Sequence, residues 1–219
     1  NYPVEFLAAL MTNDMNSLEK LSVLLAEAKV MGIKVAAPHV NESDTGFTAL
    51  KGTRVIRFGL AAVKGVGSTA VDQIIESRKK DGPFKSLQDM LDRVDTRAVN
   101  RKALEALIKA GALEGLGPNR ATLSSQIDTA LSRASKAAQD RMRGQSTLFD
   151  MFDAGAEEAG TDGLDSDAPV LEEWPESEML QAEKDLLGFY VTGHPLEPYR
   201  PLLDTYGAVN SDSIKEIQD

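Results

Sequence analysis

The run Lys64-Gly65-Val66-Gly67-Ser68-Thr69 sets two glycines around one apolar residue and follows them with two hydroxyl residues. Residues of these types in this order suit the capture of a phosphate oxygen. Glycines let a tight turn adopt backbone conformations closed to side chains with a Cβ. Val66 can then point inward, while the amides of Gly67, Ser68 and Thr69 lie at the start of a helix, where free N–H groups and the helix dipole favour an anion. Such contacts go to backbone rather than to base edges, so a duplex would be gripped without its sequence being read.

A second copy lies fifty residues on. Leu113-Glu114-Gly115-Leu116-Gly117-Pro118-Asn119-Arg120 repeats the apolar-x-Gly-apolar-Gly spacing, again between helical patterns. Repetition at one spacing is harder to obtain by chance than a single Gly-x-Gly. Each copy resembles a helix-hairpin-helix motif, giving Gly115, Gly117, Asn119 and Arg120 as further candidate DNA contacts beside Lys64, Gly65, Val66, Gly67, Ser68 and Thr69. The copies differ in charge: Glu114 stands where Lys64 stands, and a carboxylate beside a phosphate is unfavourable. Arg120 offers compensation; a purely structural second hairpin is the other reading.

Helices must position these turns. Leu60–Val63 reads as a short apolar helix leading in, and Ala70, Val71, Ile74 and Ile75 continue the helix leading out. Gly82-Pro83 breaks the chain. Ser86 can cap a helix through Leu87, Met90, Leu91 and Val94, and Asn100 one through Leu104, Leu107 and Ile108 that stops at Gly111. After Arg120 comes a helix carrying Leu123, Ile127 and Leu131, with polarity rising from Ser132. Upstream, Phe6, Leu7, Leu10 and Met11 form one helical stripe. Leu18, Leu21, Leu24, Leu25 and Ala28 form another, capped by Asn16 or Ser17 and stopped by Gly32. Ile33–Val35 is β-like, and Lys51-Gly52 between alternating segments predicts a β-hairpin over 47–57. His39, with no ligand-type neighbours in sequence, reads as a loop residue. The fold class expected is mainly α with a small β-hairpin.

Gln145-Ser146-Thr147-Leu148-Phe149 interrupts a polar stretch with two large apolar residues. From Asp153 to Asp167 the composition is too polar to bury, so disorder is expected there. An apolar pair in such a setting needs something to cover it. Two readings stand: Leu148, Phe149 and Phe152 fold back on the body, or they form a linear motif. In the motif the Gln145 amide bonds at a pocket rim while Leu148 and Phe149 fill the pocket. Farther on, Ser177–Leu187 is an amphipathic helix through Met179, Leu180, Glu183 and Leu187. Gly188–Leu196 follows as extended chain and turn, and Tyr199, Leu202, Leu203 and Tyr206 are expected to dock nearby.

Composition bounds the function. The chain has 219 residues, 42% of them hydrophobic, and no cysteine, which excludes disulfides and thiolate metal sites and fits a reducing cytoplasm. No apolar run reaches the roughly 20 residues of a membrane span, and no signal-peptide pattern opens the sequence. Asn1-Tyr2-Pro3 reads as the interior of a longer chain. The net charge of −10 is unevenly spread: residues 51–109 carry 13 Lys and Arg against 7 Asp and Glu, and residues 150–219 carry 3 against 18. The first hairpin thus lies in a locally basic segment.

Glu5-Phe-Leu-Ala-Ala-Leu10-Met, Met31-Gly-Ile33 leading to Pro38-His-Val-Asn41, Phe58-Gly-Leu-Ala-Ala-Val-Lys-Gly-Val-Gly67 and Gly82-Pro-Phe-Lys-Ser-Leu87 form a specific combination. Asn100-Arg-Lys-Ala-Leu104-Glu-Ala-Leu-Ile-Lys-Ala-Gly111-Ala and Leu187-Gly-Phe-Tyr-Val-Thr-Gly-His-Pro-Leu196 complete it. Together they resemble the alpha (catalytic) subunit of bacterial DNA polymerase III, over nearly the whole chain. The departures are His39, where the family more usually has Asp, and Glu114.

The resemblance implies the end of a fingers domain (1–46) and a β-hairpin with a tandem helix-hairpin-helix domain (47–135). A linker with a sliding-clamp peptide (136–170) and a segment preceding an OB-fold (171–219) would follow. It implies duplex DNA, the clamp (beta subunit) and other replicase subunits as partners, no membrane, and Gln145, Leu148 and Phe149 as clamp contacts. Mg²⁺ is expected for the full polymerase, but no cofactor for this segment, which lacks a carboxylate cluster for the two-metal chemistry and is expected to be inactive alone. Two other classes compete. A helix-hairpin-helix glycosylase would use an Asp about twenty residues past the hairpin, with Asp89 at that distance, but Pro83 intervenes and no preceding helical barrel could hold a flipped base. A free-standing DNA-binding or repair adaptor without polymerase is the alternative that the hairpins alone leave open.

Overall fold

The computed structural model describes residues 2–142 and 169–206. The order is α1 (Pro3–Asn13), α2 (Leu18–Val30), β1 (Lys34–Ala36), β2 (Thr48–Ala49), β3 (Val55–Arg57), a 3-10 turn (Leu60–Ala62), α3 (Ser68–Asp81), α4 (Leu87–Arg93), α5 (Arg101–Lys109) and α6 (Arg120–Met142). After residue 168 come α7 (Glu176–Leu187), a second 3-10 turn (Glu197–Tyr199) and α8 (Arg200–Thr205). The fold is mostly helical with one small sheet.

Local chemistry sets most boundaries. Ser17 Oγ accepts from the Lys20 amide, Ser86 Oγ from the Asp89 amide (3.1 Å) and Asn100 Oδ1 from the Ala103 amide (3.1 Å), each satisfying a donor that the first turn leaves open. α6 runs to Met142, beyond Ser132, where polarity rises, and past residue 135, where the resemblance ends the hairpin domain. Alanines at 130, 134, 137 and 138 keep helix propensity high there, and Ala130 and Ala134 are buried.

β2 and β3 pair antiparallel across Lys51-Gly52, with Thr48 opposite Arg57 and Ala49 opposite Ile56. β1 adds to the other side of β3 in parallel, Val35 opposite Ile56, giving the order β1-β3-β2. The β-like reading of Ile33–Val35 is met by β1, and its parallel pairing with β3 is what goes beyond the expected hairpin.

One continuous apolar core links α1 to α7, with Met11, Leu21, Ile56, Phe58, Leu60, Ile74, Leu91 and Leu107 almost fully buried. α4 and α5 pack on α6, and α7 packs on α5. Two apolar stripes are only partly inward. Phe6 is 67% exposed while Leu7 and Met11 are buried, and Leu196, Tyr199, Leu202, Leu203 and Tyr206 are exposed rather than docked. α8 is too short to carry its own apolar face into the core and makes its contacts with the adjacent 3-10 turn.

Candidate nucleic-acid interface

Both glycine hairpins form turns ahead of helices. In the first, Gly65 has φ +89°, a region costly to any residue with a Cβ. Val66 is buried, and its amide donates to the Val63 carbonyl (3.2 Å), so neither its side chain nor its N–H faces outward. Gly67 takes the N-cap position of α3 in extended conformation, with no side chain capping the helix. The first bond of α3 runs from the Val71 amide to the Gly67 carbonyl (3.1 Å), and the amides of Ser68 and Thr69 find no acceptor among the described residues. Lys64, Gly67, Ser68 and Thr69 are exposed. A Cβ built on Gly67 would meet nothing within 4 Å, so the fold leaves this glycine's side open.

The second hairpin shares the backbone turn, with Gly115 at φ +78° and Leu116 buried. Its helix N-terminus is occupied. The Glu173 carboxylate accepts from the Arg120 amide through Oε2 (2.9 Å) and from the Ala121 amide through Oε1 (3.0 Å). Asn119 Oδ1 accepts from the Thr122 amide (2.8 Å), and Asn119 Nδ2 donates to the Leu171 carbonyl (2.7 Å). The Arg120 guanidinium donates to the Lys109 carbonyl (3.1 Å) and to Glu183 Oε1 (3.2 Å). Gly117 serves packing: a Cβ there would lie 2.6 Å from Leu123 Cδ2. The Arg120 guanidinium and the Asn119 side chain, read from sequence as candidate DNA contacts, are therefore spent inside the molecule.

Electrostatics follow this geometry. Burial works to raise the Glu173 carboxyl. The amides of Arg120, Trp174 and Ala121 and the Arg120 charge outweigh it, holding the group below its ordinary value. Glu183, fully buried, accepts from Arg120, from the amides of Val191 (3.2 Å) and Thr192 (3.1 Å) and from Thr192 Oγ1 (2.8 Å), so its charge is matched on every side.

Sequence reasoning missed Glu173, which sits in a run of carboxylates that reads as solvated, and gave Glu183 no role beyond its place on the α7 stripe. His39, read as a loop residue, hydrogen-bonds the Glu114 carbonyl (3.0 Å) and accepts from the Asn41 amide (3.1 Å), tying its loop to the second hairpin. Asp89, the conceivable glycosylase base, accepts from the Lys85 amide (2.8 Å) and pairs with Arg93, a helix-capping arrangement. Gln145, Leu148 and Phe149 lie outside the described residues. Among the described residues no helix is long and apolar enough to cross a membrane, and no three His, Asp or Glu side chains are grouped to hold a metal ion.

Comparison with known proteins places this geometry. A family model described as a helix-hairpin-helix motif matches residues 32–123. DNA polymerase III subunit alpha of Xylella fastidiosa is 40% identical over 200 residues, covering 91% of this chain and 16% of the relative. The Treponema pallidum subunit is 37% identical over 218 residues, covering 100% and 18%, and that of Escherichia coli K12 38% over 206, covering 94% and 17%. The chain spans about a sixth of the length of these curated relatives.

Proposed function

We propose, the chain being homologous over nearly its whole length to a segment of the DNA polymerase III alpha subunit, that it holds duplex DNA for a replicative polymerase. It does so through backbone amides of the first glycine hairpin. The observation that carries this reading is the uncapped start of α3: Ser68 and Thr69 present free amides beside exposed Lys64, and Gly67 leaves open space in front of them. An anion there completes the donors that every helix start leaves unsatisfied and meets the positive end of the dipole. The contact is sequence-independent and salt-sensitive, because each neutralised phosphate releases counterions.

In the same reading, Gln145, Leu148 and Phe149 form a peptide that tethers the polymerase to the sliding clamp in the cytoplasm, and DNA contact plus tether support processive synthesis. The segment contributes positioning, while Mg²⁺-dependent phosphoryl chemistry belongs to other parts of such a polymerase. Salt-dependent titration of the chain with a fluorescent duplex tests the DNA reading. Binding should be weak and indifferent to sequence, and should fall steeply with salt. Lys64→Ala should weaken it several-fold and flatten the salt slope by about one phosphate's worth. Gly67→Val, whose side chain would stand in the ligand's path, should remove it. Absence of binding at low salt would sink the reading. For the tether, Leu148→Ala with Phe149→Ala should remove clamp binding without altering DNA affinity. Unchanged clamp affinity with a lowered melting temperature would make those residues core instead.

A further inference from the structure

The two helix starts invite the same ligand, but only one is open. At the second, a carboxylate from 53 residues downstream takes both leading amides of α6. The chain around that carboxylate is held at several independent points. The Leu171 amide donates to Thr122 Oγ1 (3.0 Å), and the Leu171 carbonyl accepts from Asn119. The Trp174 amide closes on Glu173 Oε1 (2.9 Å), and Glu183 of α7 takes the Arg120 guanidinium. The far end of α7 reaches the first hairpin, where the Leu186 carbonyl accepts from the Lys64 amide (3.0 Å). Residues 169–192 thus form an acidic strap running from the second hairpin to the back of the first.

From this we infer that the second hairpin is a docking site for the chain's own acidic strap rather than a DNA contact, with Glu173 as its resident anion. Chemistry supports the exclusion of DNA. The leading amides, the Asn119 amide group and the Arg120 guanidinium all have internal partners. A phosphate approaching them would meet the Glu173 charge and the exposed carboxylates of Glu114 and Glu172. Docking stands on the geometry alone; the division of labour between hairpins rests on the DNA reading above.

Hydrogen exchange and duplex titration on the full chain test the two parts separately. Glu173→Ala should speed exchange at the Arg120 and Ala121 amides at least about tenfold, whereas Glu172→Ala, which removes an equal charge from the neighbouring exposed position, should not. If the alanine variant unfolds by circular dichroism, Glu173→Gln replaces it, since its NH2 group is a donor and would face one of the N–H groups that a carboxylate oxygen accepts from. DNA affinity and salt slope of the Glu173 variant should match those of Glu172→Ala. Unchanged exchange would overturn the docking. Tighter DNA binding with a steeper salt slope in the Glu173 variant alone would show a DNA seat that the strap blocks, and would overturn the assignment. If the parent chain binds no duplex, the DNA reading of the first hairpin fails, and the exchange result still decides whether Glu173 docks the strap.

Discussion

The two hairpins share a spacing, a left-handed first glycine and a buried apolar residue, yet the structure uses them differently. The second glycine separates them. Gly67 faces open space and is not required by packing, whereas Gly117 lies against Leu123, which is almost wholly buried. The cap separates them as well: α3 starts with no side chain on its amides, and α6 starts under Glu173 and Asn119. A glycine that faces open space and one kept small for a neighbouring leucine are indistinguishable as letters. What surrounds them differs, and so does what their substitution should do.

The largest effect is expected from giving the first hairpin the second one's arrangement. Gly67→Asp places a carboxylate at an N-cap position whose backbone is already extended, with room for the side chain. Stability should hold or rise by a few tenths of a kcal/mol, because Asp is a good N-cap. DNA binding should fall at least about a hundredfold, the worth of roughly two charge-assisted hydrogen bonds. Thermal melts and duplex titration of the same preparation measure both; retained binding would mean that the amides of Ser68 and Thr69 are not the contact.

Gly117→Ala is the converse. Its Cβ meets Leu123, which is almost wholly buried, at 2.6 Å from Cδ2 and 2.9 Å from Cγ, so the leucine must shift. Overpacking of this kind costs about 1–3 kcal/mol, so the melting temperature should fall by several degrees while DNA affinity per folded molecule stays within about twofold. A loss of affinity without a loss of stability would place DNA at the second hairpin and erase the contrast.

The smallest effect is a pH response confined to the second hairpin. The Glu173 carboxyl is held below its ordinary value of 4.5, so its contribution to strap docking is complete above about pH 4.5 and is lost as pH falls through the lower, folded value. Trp174, the only tryptophan, is half-buried and gives its amide to Glu173, so its fluorescence reports the docking directly. The emission should shift in that acidic window, and the shift should be absent in Glu173→Gln. An identical shift in that variant would assign the change to another group.

Much of this molecule was legible locally. Ser17, Ser86 and Asn100 cap the helices that their positions announce, and the stop at Gly32 and the turns at Gly52, Gly65, Gly111 and Gly115 have the positive φ that glycine permits. These features depend on bonds spanning a few residues, so the sequence by itself determines them, as it does the repeated hairpin spacing and the separation of basic and acidic segments. Tertiary structure alone decided the parallel pairing of β1 with β3, the bridge from His39 to Glu114, the seat of Glu173 on α6 and the bond from Lys64 to Leu186. Each joins groups about 20 to 120 residues apart whose types are ordinary where they stand. A glutamate in an acidic run carries no mark of being a buried anion's substitute until packing brings it to two amides that lack a partner. The equivalence of the hairpins was thus a property of the letters, and their difference a property of the fold.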